Sequence, residues 1–452
     1  MTHLAPQPPF HWEPQPQAQR LIDRLMDRFL AEHNFAAGLA HRLHGEAGVR
    51  FGDMLDFLAV RPTGDDAELE RELRDAGFEG EPERMVHPGG VFPSVRLIDT
   101  QLAAGIKVDS VADFAATQQL AAKPTGLPGS RFRQVIVPDG NASLHAVERH
   151  GWLGFEDPGD RPEQVVRAAA WLEAMRTRPR TGADDGELLD RTAQLIDAAR
   201  AELPVDWVCD LFFEAERDYW MRSNRAARAQ YARQNRLGIG WANHDHHTYR
   251  SARVNIHRLV ALFESLGLHC RESFTPGPDA GWGAQVMEQP VTQIIVFADV
   301  DMSPEEMAGD FAHEGLEARH ELGTVGLWCH LHGDSILEAG MHHLECMFDF
   351  DGLAEQLRQE HGIEMMEPFS NFDHLKQQFT QAEVWPVAKS RLAALQRSGQ
   401  ITAEQADRFA EQGAFGSHME NLERNDGFKG FNQNAVTKVI GETDPRLAGS
   451  AQ

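Results

Sequence analysis

The chain has 452 residues, 42% hydrophobic and 25% charged, which is enough apolar material for two or three domains with real cores. Its 69 acidic against 43 basic residues give a net charge of −26, a field that repels phosphate backbones and anionic lipid and excludes nucleic acid and membrane as partners. Cys209, Cys270, Cys329 and Cys346 form no CxxC pair, no apolar run reaches a membrane span, and the Pro/Gln-rich start lacks signal-peptide features, so a cytoplasmic location is expected.

Residues 1–17 read as a flexible lead-in. Leu21, Ile22, Leu25, Met26, Phe29 and Leu30 recur at helical spacing, which predicts amphipathic helix over 18–45. Met54–Arg61 reads as a strand, Asp65–Ala76 as a helix closed by Gly77, and Val91–Ile98 as a second extended stretch. Residues 18–157 are therefore assigned to N-terminal helices and a first β-α-β module. The segment 158–235 reads as helical, and a lid over the modules is its expected role.

A second module is expected over 236–350, opening on the strand Gly238–Arg250. Ile256, Leu259, Val260, Leu262, Phe263 and Leu266 form its helix, ended by Gly267, with strands in Leu268–Phe274 and Ala284–Val300. Ser303 and Pro304 start a helix expected to run to Leu322, and Met341–Phe350 reads as a strand. Residues 351–452 are read as helices followed, from 418, by a loop-rich tail that returns to the site.

The chemistry concentrates in Asn243–Arg250. As a strand, this run turns His244, His246 and Thr248 one way and Asp245, His247 and Tyr249 the other. Two imidazoles on one face can meet one metal ion; the alternative is a polar strand satisfied by hydrogen bonds. His343 and Glu345 share a face of their own strand. Facing His246 and His244, they would complete a 2-His-1-carboxylate site of the kind used by non-haem Fe(II) oxygenases. His313, Glu317 and His320 form a competing set on the 303–322 helix, where a solvated face is the plainer reading. Arg61 and Arg250 each sit on a module-opening strand and can grip a carboxylate in two parallel hydrogen bonds. No GxGxxG, Walker A or GxSxG motif is present.

Three stretches carry a family resemblance: LDFLAVRP (55–62) with GGVFPSVRL (89–97); WANHDHHTYRSARVNIHRLVALFESLGL (241–268), in which His246–Arg250 matches an H-x-T-x-R core; and RNDGFKGFNQNAVTKVIGET (424–443). In this order they resemble the 2-oxoadipate dioxygenase/decarboxylase family. The resemblance implies an α+β fold of paired vicinal-oxygen-chelate-like β-α-β modules forming a curved sheet around a central site, with a helical N-terminus and helical insertions. It also implies a mononuclear Fe(II) centre that turns a small anionic 2-oxo acid and O2 into CO2 and a shortened 2-hydroxy acid, as in lysine catabolism. His246 carries over as a ligand and Arg61 as the substrate grip, with Arg250 a further catalytic candidate. Where the family has its first ligand histidine, this chain has Phe57, so His343 or His244 is expected to replace it, with His87 a further possibility. Glu345 is the preferred carboxylate ligand, with Glu314 and Glu317 as alternatives. A glyoxalase- or isomerase-like lyase using Zn or Mn, and a non-catalytic small-acid binder, are the alternative functions.

Overall fold

The computed structural model describes residues 11–61, 68–98, 101–277, 280–432 and 443–447. The start of the helix expected at Asp65, and residues 433–442 of the third resembling stretch, lie outside the described residues. Helices Pro16–Glu32 and Asn34–Ala47 turn Leu21, Leu25, Phe29, Leu39 and Leu43 into the core. No helix among the described residues is long and apolar enough to cross a membrane.

One construction rule then repeats four times. A strand leads into a helix, and the strands that follow bring the last one back parallel beside the first. In the first module β1 (Leu55–Val60) precedes helix Leu69–Asp75, then β2 (Glu79–Glu81), β3 (Arg84–Val86) and β4 (Ser94–Leu97). The second has β5 (Leu102–Lys107), helix Val111–Thr117, β6 (Phe132–Asp139) and β7 (Ala142–Arg149), one strand fewer. The third has β8 (His244–Arg250), helix Ile256–Ser265, β9 (His269–Phe274), β10 (Trp282–Glu288) and β11 (Ile295–Asp301). The fourth begins with β12 (His343–Met347), helix Phe350–His361, β13 (Ser370–Phe372) and β14 (Leu375–Phe379). An excursion with β15 (Val384–Trp385), two helices and β16 (Ala414–Phe415) follows before β17 (His418–Arg424) closes it.

Modules pair edge to edge through their opening strands. The N-terminal sheet has the order β2-β3-β4-β1-β5-β7-β6, and the C-terminal sheet β13-β14-β17-β12-β8-β11-β10-β9. In both, the two opening strands are antiparallel, and each is parallel to the last strand of its own module. The parallel return needs a crossover, which the helix after each opening strand supplies. This is the expected α+β architecture of paired β-α-β modules, present here twice over.

Several expectations are corrected. The range 18–157 holds two modules rather than one. The C-terminal sheet joins the module begun at β8 to one lying largely beyond residue 350, so 351–452 is not a set of helices with a loop-rich tail. Polar β17 is buried along its whole length between β12 and β14, with Asn421 donating to the Phe350 carbonyl. The expected 303–322 helix is two short turns, Pro304–Met307 and Phe311–Glu314, the second stopped by Gly315 at φ 78°. The helices over 162–235 do not roof the cavity of the C-terminal sheet. Phe213 of helix Val205–Met221 packs on His247, Tyr249 and Phe263, on the opposite face of β8.

Candidate metal centre

Three neighbouring strands build the centre. Register places Glu345 of β12 directly between His246 of β8 and Glu420 of β17, and places His343 between Thr248 and His418 in the next row. Because side chains two apart on a strand share a face, His246, His343, Glu345 and Glu420 converge. His246 Nε2 lies 2.9 Å from Glu345 Oε2, His343 Nε2 lies 3.1 Å from Glu420 Oε2, and one ligand atom from each of the four falls within 4.8 Å of the rest. All four side chains are buried.

A bulge decides which histidines take part. Between β8 and β12 the register steps from Glu345↔His246 to Cys346↔His244, so Asp245 is an extra residue in its strand. His244 is thereby turned to the other face, its ring 5.2 Å from that of His247, and the expected ligand role for His244 is corrected. Asp245 instead joins His246: its Oδ2 is 3.0 Å from His246 Nδ1. Arg424 clamps the same carboxylate, Nε to Oδ1 at 2.8 Å and Nη2 to Oδ2 at 2.9 Å. Its remaining Nη1 donates to the carbonyls of Phe428 and Gly430. That fixes the chain leading to Phe431, whose ring packs edge-on to His246 at 5.1 Å.

The electrostatics suit a cation. Burial opposes charge on His246, but Glu345 and Asp245 outweigh it and raise its pKa to about 9. Burial and the facing Glu345 push Glu420 well above the usual carboxylate range. Burial, with His418 beside it, holds the His343 imidazole neutral. Neither oxygen of Glu345 accepts a hydrogen bond of regular geometry. Two buried carboxylates side by side are costly without positive charge between them, and a histidine whose far nitrogen is held by a carboxylate is the usual support for a metal-bound imidazole. The donors therefore fit a divalent ion such as Fe(II), Mn(II) or Zn(II).

The cavity in front of these donors is small, about 50 Å³, and Phe274, Trp282, Phe297, Phe369, Phe379 and Phe431 wall it. Asp299 also lines it, its carboxyl pushed up to about 7 by burial despite nearby Arg250. Arg250 shares the face of His246 but sits four residues along, roughly 13 Å at strand rise. It is buried, with Nε and Nη1 unpartnered, and is not among the residues lining the cavity.

The other candidates are dispersed. Arg61 follows β1 and faces a cavity of the N-terminal sheet, which corrects its placement beside the metal donors. His87 bonds the Ala76 carbonyl, His313 bonds Asp310 and Glu264, and His320 bonds the Ser398 carbonyl. Glu420 escaped the sequence reading because its segment looked like loop. One signal was available: His418-x-Glu420 repeats His343-x-Glu345, and the two motifs lie side by side in register.

Phe57 does not face His246 across the site; it is the twin of His246 in the other sheet. The β1–β5 pairing has the same bulge, stepping from Leu55↔Ile106 to Phe57↔Gly105, with Asp56 extra. Asp56 is clamped by Arg149, Nε to Oδ1 at 2.9 Å and Nη2 to Oδ2 at 2.7 Å, and Arg149 Nη1 donates to the Trp152 and Gly154 carbonyls. Phe155 then packs edge-on to Phe57 at 5.3 Å, as Phe431 does to His246. The row His246–Glu345–Glu420 corresponds to Phe57–Gly105–His145.

No protein-family model matches the chain, and no curated relative is found. Among solved structures the chain is similar to a putative glyoxalase superfamily protein from Ralstonia eutropha, at 13% identity and TM-score 0.34 over 59% of this chain and 97% of that one. It is also similar to a triple mutant of 4-hydroxymandelate synthase from Streptomyces coelicolor (12%, TM-score 0.30, 86% and 99%). A third is methylmalonyl-CoA epimerase from Mycobacterium tuberculosis (11%, TM-score 0.24, 41% and 89%). At these values the likeness carries no functional argument, and the chemistry rests on the residues above.

Proposed function

We propose that the protein is a metal-dependent enzyme of the vicinal oxygen chelate type in which His246, His343, Glu345 and Glu420 hold Fe(II), and that it oxidatively decarboxylates a small 2-oxo acid. The observation that carries this reading is the buried four-donor cluster with Asp245 and Arg424 braced behind His246. When bound, the iron would supply Lewis acidity and a site for O2. The reaction balances as 2-oxo acid plus O2 giving CO2 and a 2-hydroxy acid one carbon shorter, both oxygen atoms of O2 ending in that product.

The chain's own residues do the rest. Asp245 holds the Nδ1 side of His246 and aims Nε2 at the donor cluster, where that nitrogen would give up its proton on holding a metal. Gln377 donates to Glu420 Oε1 at 3.1 Å and fixes that carboxylate. The aromatic walls exclude water and leave an apolar space for the substrate's side chain. Among the described residues no arginine or lysine lines the cavity, so a monocarboxylate with a short apolar tail fits better than a dicarboxylate such as 2-oxoadipate.

The test is anaerobic reconstitution with Fe(II), followed by O2 uptake and CO2 release with 2-oxobutyrate, 2-oxoisovalerate and 2-oxoadipate. Stoichiometric O2 and CO2, with 2-oxoadipate slowest, is expected; turnover without O2 uptake overturns the oxidative reading. A second reading is favoured by one observation. The cluster has two carboxylates, and Glu420, inclined to hold a proton, is placed to act as an acid or base in a Zn- or Mn-supported isomerisation. Exchange of substrate C–H protons with D2O in the absence of O2 would support it. A protein that takes up no metal at all is the non-catalytic small-acid binder.

A further inference from the structure

The N-terminal sheet repeats the scaffold of the metal centre but not its donors, and what replaces them defines a different site. Phe57 stands for His246, and Gly105 stands for Glu345; a Cβ at Gly105 would lie 2.3 Å from the Phe57 ring, so the ring occupies the space a ligand side chain would need. His145 stands for Glu420, and both its nitrogens are used: Nδ1 lies 2.9 Å from Gln134 Oε1 and Nε2 lies 3.1 Å from Ser143 Oγ. No metal-binding set remains in this row.

A cation has appeared instead. In the C-terminal sheet Phe297 is opposite Thr248, packed on His246 and Phe431. The equivalent position opposite Ala59 is Arg96. Its guanidinium lies 4.1 Å from the centre of the Phe155 ring and 5.7 Å from that of Phe57, and Nε donates to the Glu83 carbonyl at 3.3 Å. Stacked on two rings, it is held in place and has no ion pair among the described residues. The cavity it faces has a volume of about 420 Å³, against about 50 Å³ at the metal centre. Arg61 and Arg96 both line it, and among the described residues no aspartate or glutamate does, in a chain of net charge −26. Phe57, Ile98, Ala103 and Ile136 make its apolar wall.

We infer that the concave face of the N-terminal sheet is a second, metal-free binding site for a small organic carboxylate. The carboxylate pairs with Arg96, and an apolar body lies against Phe57 and Ile136. An arginine pre-positioned on aromatic rings loses little freedom on forming a bidentate pair, and the apolar wall selects against inorganic anions. The site is independent of the proposed metal chemistry.

The test is isothermal titration of the EDTA-treated full-length chain with benzoate, benzamide and inorganic phosphate. Benzoate is expected to bind one-to-one, benzamide and phosphate at least tenfold more weakly, and zinc loading is expected to leave benzoate affinity unchanged. Arg96→Gln should weaken benzoate at least tenfold. Ile136→Trp, at a half-exposed position on the cavity wall, should block it without removing any charge. Each variant is checked for an unchanged thermal melt. Absence of benzoate binding, equal binding of benzamide or phosphate, strengthening by zinc, or indifference to both folded variants overturns the assignment.

Discussion

At the centre of the C-terminal sheet the row of side chains on the concave face reads His246–Glu345–Glu420; in the N-terminal sheet the same row reads Phe57–Gly105–His145. Everything that braces the rows is shared: the bulge, the aspartate it exposes, the arginine clamp, and the aromatic ring delivered by the chain after that clamp. The difference teaches that the Asp–Arg brace is a scaffold device, retained where the row it supports is Phe57–Gly105–His145 rather than a cluster of donors. Four donor positions (Phe57, Ala103, Gly105 and His145 for His246, His343, Glu345 and Glu420) and a nearby exchange of Phe297 for Arg96 separate the proposed metal cavity from the arginine-lined one.

Several experiments would break or sharpen that contrast. The largest effect is expected from Glu345→Gln. Metal retained after anaerobic loading, measured by elemental analysis, should fall at least 100-fold and turnover to background, while the thermal melt stays or rises because a buried carboxylate has gone. Metal retention at wild-type level would remove β12 from the centre.

The two braces provide the next test. Asp245→Ala and Asp56→Ala should each destabilise by about 3 kcal/mol, because each leaves an enclosed arginine unpaired. Only Asp245→Ala should also weaken metal binding, by about 10–100-fold, since only it orients a ligand histidine. Equal effects on metal would show that the brace acts through stability alone.

Rebuilding the lost row is a harder trial. Phe57→His alone should leave the chain with one equivalent of metal. Phe57→His with Gly105→Glu restores a His–Glu–His row and should raise the stoichiometry to two, the second equivalent the weaker. A count of one in the folded double variant would mean that the differences left in place, Ala103 where the other sheet has His343 and Arg96 where it has Phe297, prevent metal binding.

The smallest effect concerns pH. Burial, with Arg96 adding to it, lowers His145 to about 4. The unfolded chain therefore takes up this proton first, and stability present above about pH 6.5 is lost as pH falls towards 4. His145→Gln should flatten that part of the denaturation profile by at most about 3 kcal/mol, less where solvent screens the partly exposed ring. An unchanged profile would show that His145 is not desolvated in solution.

Local pattern was sufficient for much of this molecule. The apolar spacing of 256–266 gave the helix after β8, and alternation alone put His343 and Glu345 on one strand face. The run 243–250 stood out because so many ionisable groups fall in one strand, and His246 does sit at the four-donor cluster. Alternation also assigned His244 to the face of His246. There it failed, because one bulged residue reverses the facing of everything beyond it, and a bulge is a property of a strand pair rather than of a strand. Glu420 was missed for a related reason: a polar strand buried between two others has the composition of a loop until its neighbours are known.

The sequence by itself determined which residues are capable of the chemistry: the histidines and glutamates with a strand spacing that lets them converge, and an excess of acid that makes any arginine-lined cavity notable. Only the tertiary structure decided which strands lie side by side. That choice rests on contacts between residues far apart in the chain, β8 with β12 and β12 with β17, whose energies no local pattern reports. It made Phe57 the counterpart of His246 rather than its missing partner, and it placed the candidate metal donors in one sheet and the arginine-lined cavity in the other.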